Sequence, residues 1–304
     1  MGIVALGAVE KIIGEVAATE IMPFFGKLRS CDIEMKGPGD PVSAPDKACE
    51  IELSRRLKEL LPGSVVVGEE GCAKDSEIVN LFESDGSVWV IDPIDGTNNF
   101  INGRMEFGVM VALVHNKETV AAWIHDPNTG HTLMAEKGGG VWLQGGKMRL
   151  AGQDNAASRL VIVGSRMVKA LSKFADLIAA LPALEIGSSS AFDYGRLFTG
   201  DDGSCFANSS KPRSSFLLFG LSKPWDHLPG LFLVAEAGGY SCDFRGRPYD
   251  PQRPENGIFV APSEGAGMAL FETIKRVIGD NFSFKNAEVR IGSVKGSNLQ
   301  TKGL

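Results

Sequence analysis

In the first segment the apolar positions Val9, Ile12, Ile13 and Val16 recur at helical spacing, which predicts an amphipathic helix ended by Pro23. A second amphipathic helix is predicted from Asp46 through "DKACEIELSRRLKELL", stopped by Pro62-Gly63. The period then shortens. "SVVVGEE" and "SVWVIDPID" are β-branched runs that end in acids and read as buried strands whose ends reach a cleft. From Phe107 to Leu150, "FGVMVALVH", "ETVAAWIHD", "HTLMAEK", "GVWLQ" and "KMRL" alternate with "NK", "PNTG", "GGG" and "GG" turns, the pattern of an antiparallel meander of four or five strands.

After "AGQDNAAS" the pattern becomes strand and helix in alternation, through "RLVIVGS", "KALSKFADLIAAL", "ALEIGSS" and "SAFDYGRLF". A boundary is therefore expected near Ala151, dividing residues 1–150 (meander and acidic motifs) from 151–304 (an α/β half). "WDHLPGLFLVAEAGG" predicts a helix with Leu228, Leu231, Phe232 and Ala235 on one face and Gly238-Gly239 at its C-terminus. "NGIFVAP" is a further strand, "GMALFETIKRVIG" a closing helix, and the tail from Asp280 lacks periodicity.

Composition narrows the function. The chain of 304 residues is 43% apolar, with a formal net charge of −6 and no run of Lys or Arg, which argues against a nucleic-acid or membrane-surface partner and for small molecules. Five scattered cysteines with no C-x-x-C pair suggest neither a disulfide framework nor a thiolate zinc site, and fit a reducing cytoplasm. No apolar run reaches transmembrane length, and the N-terminal segment, interrupted by Glu10, Lys11 and Glu15, does not resemble a signal peptide.

The chemistry gathers where apolar elements stop. Glu69 and Glu70 end one strand, Asp92 and Asp95 end another, and Asp226 opens a helix. Acids brought to one point repel each other unless a cation neutralises them, and oxygen ligands without Cys or His nearby favour Mg²⁺ or Mn²⁺ over zinc. An EF-hand is excluded, because Ile94 and Gly96 stand where its third and fifth ligands would be. A Walker loop is absent, and Gly138 to Gly140 suit a hairpin better than a dinucleotide fingerprint. Gly96-Thr97-Asn98-Asn99 lie at a strand-to-helix junction whose amides can cradle a phosphate, and the Thr97 hydroxyl is placed to orient a water. His115, His125 and His131, in or beside meander strands, are expected to be exposed or satisfied by turns; His227, next to Asp226, is a candidate supporting residue.

"GEE" at Gly68 to Glu70, "WVIDPIDGTNNF" and "PWDHLPGLFLVAEAGG" resemble, in order and separation, the three signatures of the inositol monophosphatase family of magnesium-dependent, lithium-sensitive phosphatases. The resemblance runs from about Lys36 to about Pro262. It implies an α/β fold of alternating α/β/α/β/α layers, a homodimer, a small phosphorylated substrate, and two or three Mg²⁺ ions. By the same resemblance Glu69, Asp92 and the Ile94 carbonyl hold the first metal, and Asp92, Asp95 and Asp226 the second. It pairs Thr97 with Glu69 to orient the attacking water, and gives phosphate contacts to the Gly96 and Thr97 amides. Lys36 approaches the phosphate, Asp46 an optional third metal, and Ser189 and Ser190 are candidate substrate contacts.

One position departs from the pattern. Family members acting on inositol carry a glutamate seven residues before the W-D aspartate, and this chain has Phe219 there. The expected activity is therefore a metal-dependent phosphomonoesterase on a small phosphorylated polyol or sugar. Fructose-1,6-bisphosphatase, histidinol-phosphatase and 3'-phosphoadenosine-5'-phosphate nucleotidase activities are the alternatives within the class, and a catalytically silent metal-binding member is the alternative outside it.

Overall fold

The computed structural model describes residues 2–37, 39–151, 160–163, 184–200, 205–206, 215–220 and 222–278; the helix predicted in "KALSKFADLIAAL" and the tail from Asp280 lie outside them. The first predicted helix is α1 (Leu6–Val16), which buries Val9, Ile13 and Val16. A hairpin of β1 (Ile33–Gly37) and β2 (Asp40–Ser43) leads into α2 (Ala44–Leu60). That helix starts before Asp46, not at it, because Ser43 and Asp46 form a capping box with Pro45 in the first turn, where its missing N–H does no harm.

β3 (Val65–Gly68) runs into α3 (Glu69–Lys74), and β4 (Ser87–Asp95) into the short α4 (Thr97–Ile101). The meander is β5 (Gly108–His115), β6 (Glu118–Asp126), β7 (His131–Glu136), β8 (Gly140–Leu143) and β9 (Gly146–Leu150), five antiparallel strands in sequence order. Beyond it lie β10 (Leu160–Val163), β11 (Leu184–Ile186), α5 (Ser190–Gly195), β12 (Phe198–Gly200), β13 (Ser215–Phe219), α6 (Pro224–Glu236), β14 (Tyr240–Cys242), β15 (Ile258–Ala261) and α7 (Glu264–Ile278).

Among the described residues, eight strands form the large sheet in the order β12-β9-β8-β7-β6-β5-β4-β3, and five form a smaller one, β11-β10-β13-β15-β14. Strand alternation sorts the side chains between layers. In β4, Trp89 and Ile91 join the core under α1 and α2, with Ile13 and Leu53. Val88 and Val90 face the opposite core, shared with Leu231 and Val234 of α6 and with Leu217, Ile258 and Val260 of the small sheet. Phe259, on the far face of β15, meets Phe271 of α7 at 5.8 Å between ring centroids. The layers are thus helices, large sheet, α5 and α6, small sheet, α7: the α/β/α/β/α order expected.

Two fully buried tryptophans pin the first core. Trp89 and Trp123 lie 6.1 Å apart, and their indole N–H groups donate to Ser64 Oγ and the Leu6 carbonyl, so no polar atom of either is stranded. Truncating either to Ala is expected to cost about 3–5 kcal/mol. His125 corrects an expectation. It is 4% exposed, neither at the surface nor satisfied by a turn backbone, and is hydrogen-bonded to Thr132 Oγ1 at 2.9 Å on the adjacent strand. Burial pushes its pKa down to about 4.

Candidate active site

Asp92 and Asp95 are three residues apart, a spacing that in a regular strand would aim them at opposite faces. The register shows why they do not diverge. Asp92 pairs with Met110 and Asp95 with Gly108, so β4 carries one extra residue between them, a bulge at Pro93-Ile94. Asp92 continues the Val88–Val90 face toward α6, and the bulge returns Asp95 to the same side. Pro93, which cannot donate to a ladder, was the sequence signal for this bulge.

Asp226 reaches the same point from the first turn of α6. Ligand atoms of Asp92, Asp95 and Asp226 all lie within 4.8 Å of one another. Burial, then the charges of Glu69, Asp95 and Asp226, raise the Asp92 pKa; burial and neighbouring acids raise that of Asp226, and the two carboxyls share a hydrogen bond. Asp95 is pushed up to about 7 by burial, although the Ala191 amide, the first of several donors from the start of α5, donates to it at 2.6 Å. Two glycines permit these approaches. A Cβ on Gly108 would come within 2.8 Å of Ala191 Cβ, and Gly96, at φ +90, would place one 2.9 Å from both Ser189 Cβ and the Glu106 carbonyl.

A cleft of about 260 Å³ opens over this group, lined also by Glu69, Gly96, Thr97, Ser189 and Ser190. Glu69 stands on the cleft wall as the first residue of α3, and its carboxylate accepts from Lys36 Nζ at 2.6 Å; the same ammonium donates to Glu70 at 2.9 Å. Lys36 is thus spent on two carboxylates in this structure. Beneath α3 the buried Glu50, which the sequence reading missed, accepts the amides of Glu70 and Gly71, each at 2.7 Å, and so fixes the turn that carries Glu69. Its only sequence signal was an acid on the inner face of α2, one turn after Asp46.

Asp46 and Thr97 require a correction. Asp46, expected beside an optional third metal, is fully buried and does not line the cleft: one oxygen accepts the Ser43 amide and hydroxyl, and the other accepts the Thr97 hydroxyl at 3.0 Å. Thr97, expected to pair with Glu69, therefore pairs with Asp46, and also donates to the Ile94 carbonyl at 3.0 Å. Burial pushes Asp46 up to about 7. Ser189 caps α5 and hydrogen-bonds Asp95, so it supports an acid as well as facing the cleft. His227 is buried against Tyr194, 3.2 Å from its hydroxyl. Phe219 is the last residue of β13, opposite Ile258 of the small sheet.

A sequence model of the inositol monophosphatase family matches residues 4–278. The chain belongs to that family. Its members are phosphatases, and dependence on a metal, generally Mg²⁺, is common to them. The inositol-1-monophosphatase of Mesorhizobium japonicum is 29% identical over 258 residues, 83% of this chain and 89% of that one. The fructose-1,6-bisphosphatase/inositol-1-monophosphatase of Thermotoga maritima is 28% identical over 218 residues, 71% and 77% of the two chains. Among solved structures, a Thermotoga maritima IMPase superposes with a TM-score of 0.69 at 25% identity, covering 89% of this chain and 98% of that one.

The donor set fits a hard divalent cation. Three carboxylates converge in a buried place with no nitrogen or sulfur ligand among them, and burial together with their mutual repulsion raises the pKa values of Asp92 and Asp226, so a cation held there would favour the ionised set. Among the described residues no helix is long and apolar enough to cross a membrane.

Proposed function

We propose that this member of the family is a Mg²⁺-dependent phosphomonoesterase that hydrolyses a small phosphorylated polyol or sugar by direct attack of water. The observation that carries this reading is the convergence of Asp92, Asp95 and Asp226 within 4.8 Å on the floor of the cleft whose wall presents Thr97. Asp92, Asp95 and Asp226 would hold one ion, and Glu69, Asp92 and the Ile94 carbonyl a second. When bound, these ions supply Lewis acidity toward the phosphoryl oxygens.

The remaining steps belong to the chain's own groups. A water between Thr97 and Glu69 would pass its proton to Thr97 Oγ, as the Thr97 proton moves to Asp46, whose burial suits it to hold a proton near neutral pH. The amides of Thr97 and Asn98, in the first turn of α4 and so without intrahelical acceptors, would bind phosphate oxygens. Lys36 would balance Glu69 and Glu70 while the substrate's own charge enters. No covalent intermediate is required. The two halves, 1–150 and 151–304, would each contribute, the first with Glu69, Asp92 and Asp95 and the second with Asp226. A reducing cytoplasm is consistent with the five free cysteines, and the family resemblance implies a homodimer.

Phosphate release is the test, measured with and without Mg²⁺ on inositol 1-phosphate, fructose 1,6-bisphosphate, histidinol phosphate, 3'-phosphoadenosine 5'-phosphate and glycerol 2-phosphate. Metal-dependent release from at least one is expected. Absence of release from every compound would leave the silent, metal-binding reading in its place.

A further inference from the structure

Three inner positions of α2 reach three segments that build the cleft. Asp46 accepts from Thr97 at the start of α4, the Cys49 thiol donates to the Pro93 carbonyl in the bulge of β4 at 3.7 Å, and Glu50 accepts from α3. Positions i, i+3 and i+4 share one helix face, so a single element holds all three segments.

Glu50 also stands in for something the chain lacks. A helix leaves its first N–H groups without intrahelical acceptors, and an N-cap side chain normally takes one of them. The N-cap residue of α3 is Gly68, which has no side chain, and the acceptors come from α2 instead: Glu50 Oε2 takes the Glu70 amide and Oε1 the Gly71 amide, each at 2.7 Å. Gly68 sits at φ −109 and ψ 155, extended backbone open to any residue, so the backbone does not require a glycine there. Glu50 does: a Cβ on Gly68 would lie 2.6 and 2.7 Å from its two carboxylate oxygens. One carboxylate thus fills the place of the missing cap, and its grip on two successive amides fixes the rotation of α3 about its own axis. That rotation aims Glu69, the first residue of α3, at the cleft.

We propose that Glu50 is a positioning residue for the metal centre, acting through Glu69 and matched to Gly68. The inference rests on the ion assignment made for the cleft and deepens it. Only the ion assigned to Glu69, Asp92 and the Ile94 carbonyl depends on α3; the ion assigned to Asp92, Asp95 and Asp226 does not. Loosening the grip therefore weakens one ion and spares the other. Glu50 is buried and does not line the cleft, so its effect passes through α3. Lys36 does not replace it, because an ammonium on the Glu69 and Glu70 carboxylates holds side chains on flexible stems and not the backbone.

Mn²⁺ binding, followed by calorimetry without substrate, tests this apart from turnover. The wild type is expected to bind two ions. Glu50→Gln keeps the shape but turns an N–H donor toward one of the two amides, whereas Gly68→Ala keeps Glu50 and displaces its carboxylate. Each is expected to weaken one ion by about tenfold, the usual scale for a group that orients a ligand, and to leave the other within about twofold. Glu50→Gln is expected to add nothing to the loss in Glu69→Gln and to add in full to the loss in Asp226→Asn. Unchanged affinity for both ions, with a lower melting temperature in chelator, would overturn the proposal and leave Glu50 as a cap that serves stability alone. Additivity with Glu69→Gln would overturn it too, as would a wild-type Mn²⁺ affinity that does not depend on Glu69. If Glu50→Gln does not fold, Gly68→Ala decides by itself, since it must reproduce the loss of one ion. Phosphate release with Mg²⁺ is read in parallel: loss of one ion in the variants, without turnover of any ester by the wild type, would refute the phosphatase reading and leave the positioning role standing.

Discussion

Two strand ends of the large sheet carry the same dipeptide, and they do opposite things. β6 ends in Asp126-Pro127 and β4 nears its end with Asp92-Pro93; both aspartates are 1% exposed. Asp126 is saturated: the Asn128 amide, the Asn128 side chain and the Thr129 hydroxyl donate to it at 2.9, 3.1 and 2.8 Å. Asp92 accepts one backbone amide, Ile94 at 3.1 Å, and otherwise faces other acids. A buried carboxylate with three donors closes a turn, whereas one starved of donors and crowded by its own kind waits for a cation. The supply of donors, not the presence of the acid, separates structure from function here.

The most severe way to break the comparison is Asp92→Asn. It is expected to lower kcat/KM roughly a thousandfold at saturating Mg²⁺, since on the proposed reading several kcal/mol of charge stabilisation would depend on the ions Asp92 would help to hold. In chelator, the same variant is expected to melt above the wild type, because repulsion is removed. Turnover within tenfold of wild type would show that the donor-poor acids are not the metal centre.

Asp46→Asn comes next. It is expected to lose roughly a hundredfold in kcat, the usual share of a general base, with the Mg²⁺ concentration for half-maximal rate unchanged. A shift in that concentration comparable to the one caused by Asp92→Asn would return Asp46 to the metal site.

Metal removal sharpens the contrast through pH. The folded pKa of Asp95 is raised from the ordinary value near 3.8 to about 7, so the folded state holds its proton longer than the unfolded one, and stability is lost as pH rises through that interval. His125 acts in the other direction: its folded pKa is lowered to about 4 from 6.5, so its contribution is lost as pH falls from 6.5 toward 4. Above 6.5 the histidine no longer contributes a slope. The metal-free protein is therefore expected to lose melting temperature as pH rises from 6.5 to about 7, the part of the Asp95 interval that the histidine does not oppose, and saturating Mg²⁺ to remove most of that loss. A flat metal-free profile over this range would mean that the acids do not carry unbalanced charge.

Asp126→Asn has the smallest expected effect. Replacing an acceptor that serves three donors should destabilise by about 1–2 kcal/mol, or roughly 2–8 °C in Tm for a chain of this size, without the collapse in turnover caused by Asp92→Asn. Calorimetry beside a phosphate-release assay checks both halves of that statement.

Local periodicity carried most of the fold. Alternation in "SVWVIDPID" and in the meander, and helical spacing around Val9 and Leu231, were sufficient because the same residues that set the period also face the cores. The three acidic motifs and their order were legible too, as was the hard-cation chemistry of an oxygen-only ligand set. Pairings were less so. The family resemblance pairs Thr97 with Glu69, both in recognisable motifs; its partner in the structure, Asp46, 51 residues away, is placed by the capping box of α2.

The sequence by itself determined which residues could be acids at strand ends, which runs were buried, and which family the motifs resemble, because each of these is a property of neighbours along the chain. Only the tertiary structure decided which acids are satisfied. The donors to Asp126 come from two and three residues away, but the amide that reaches Asp95 comes from Ala191, 96 residues on, and Asp226 arrives on another helix. The energy of a buried charge depends on what surrounds it in space, and that environment is assembled by packing α5 and α6 against the large sheet.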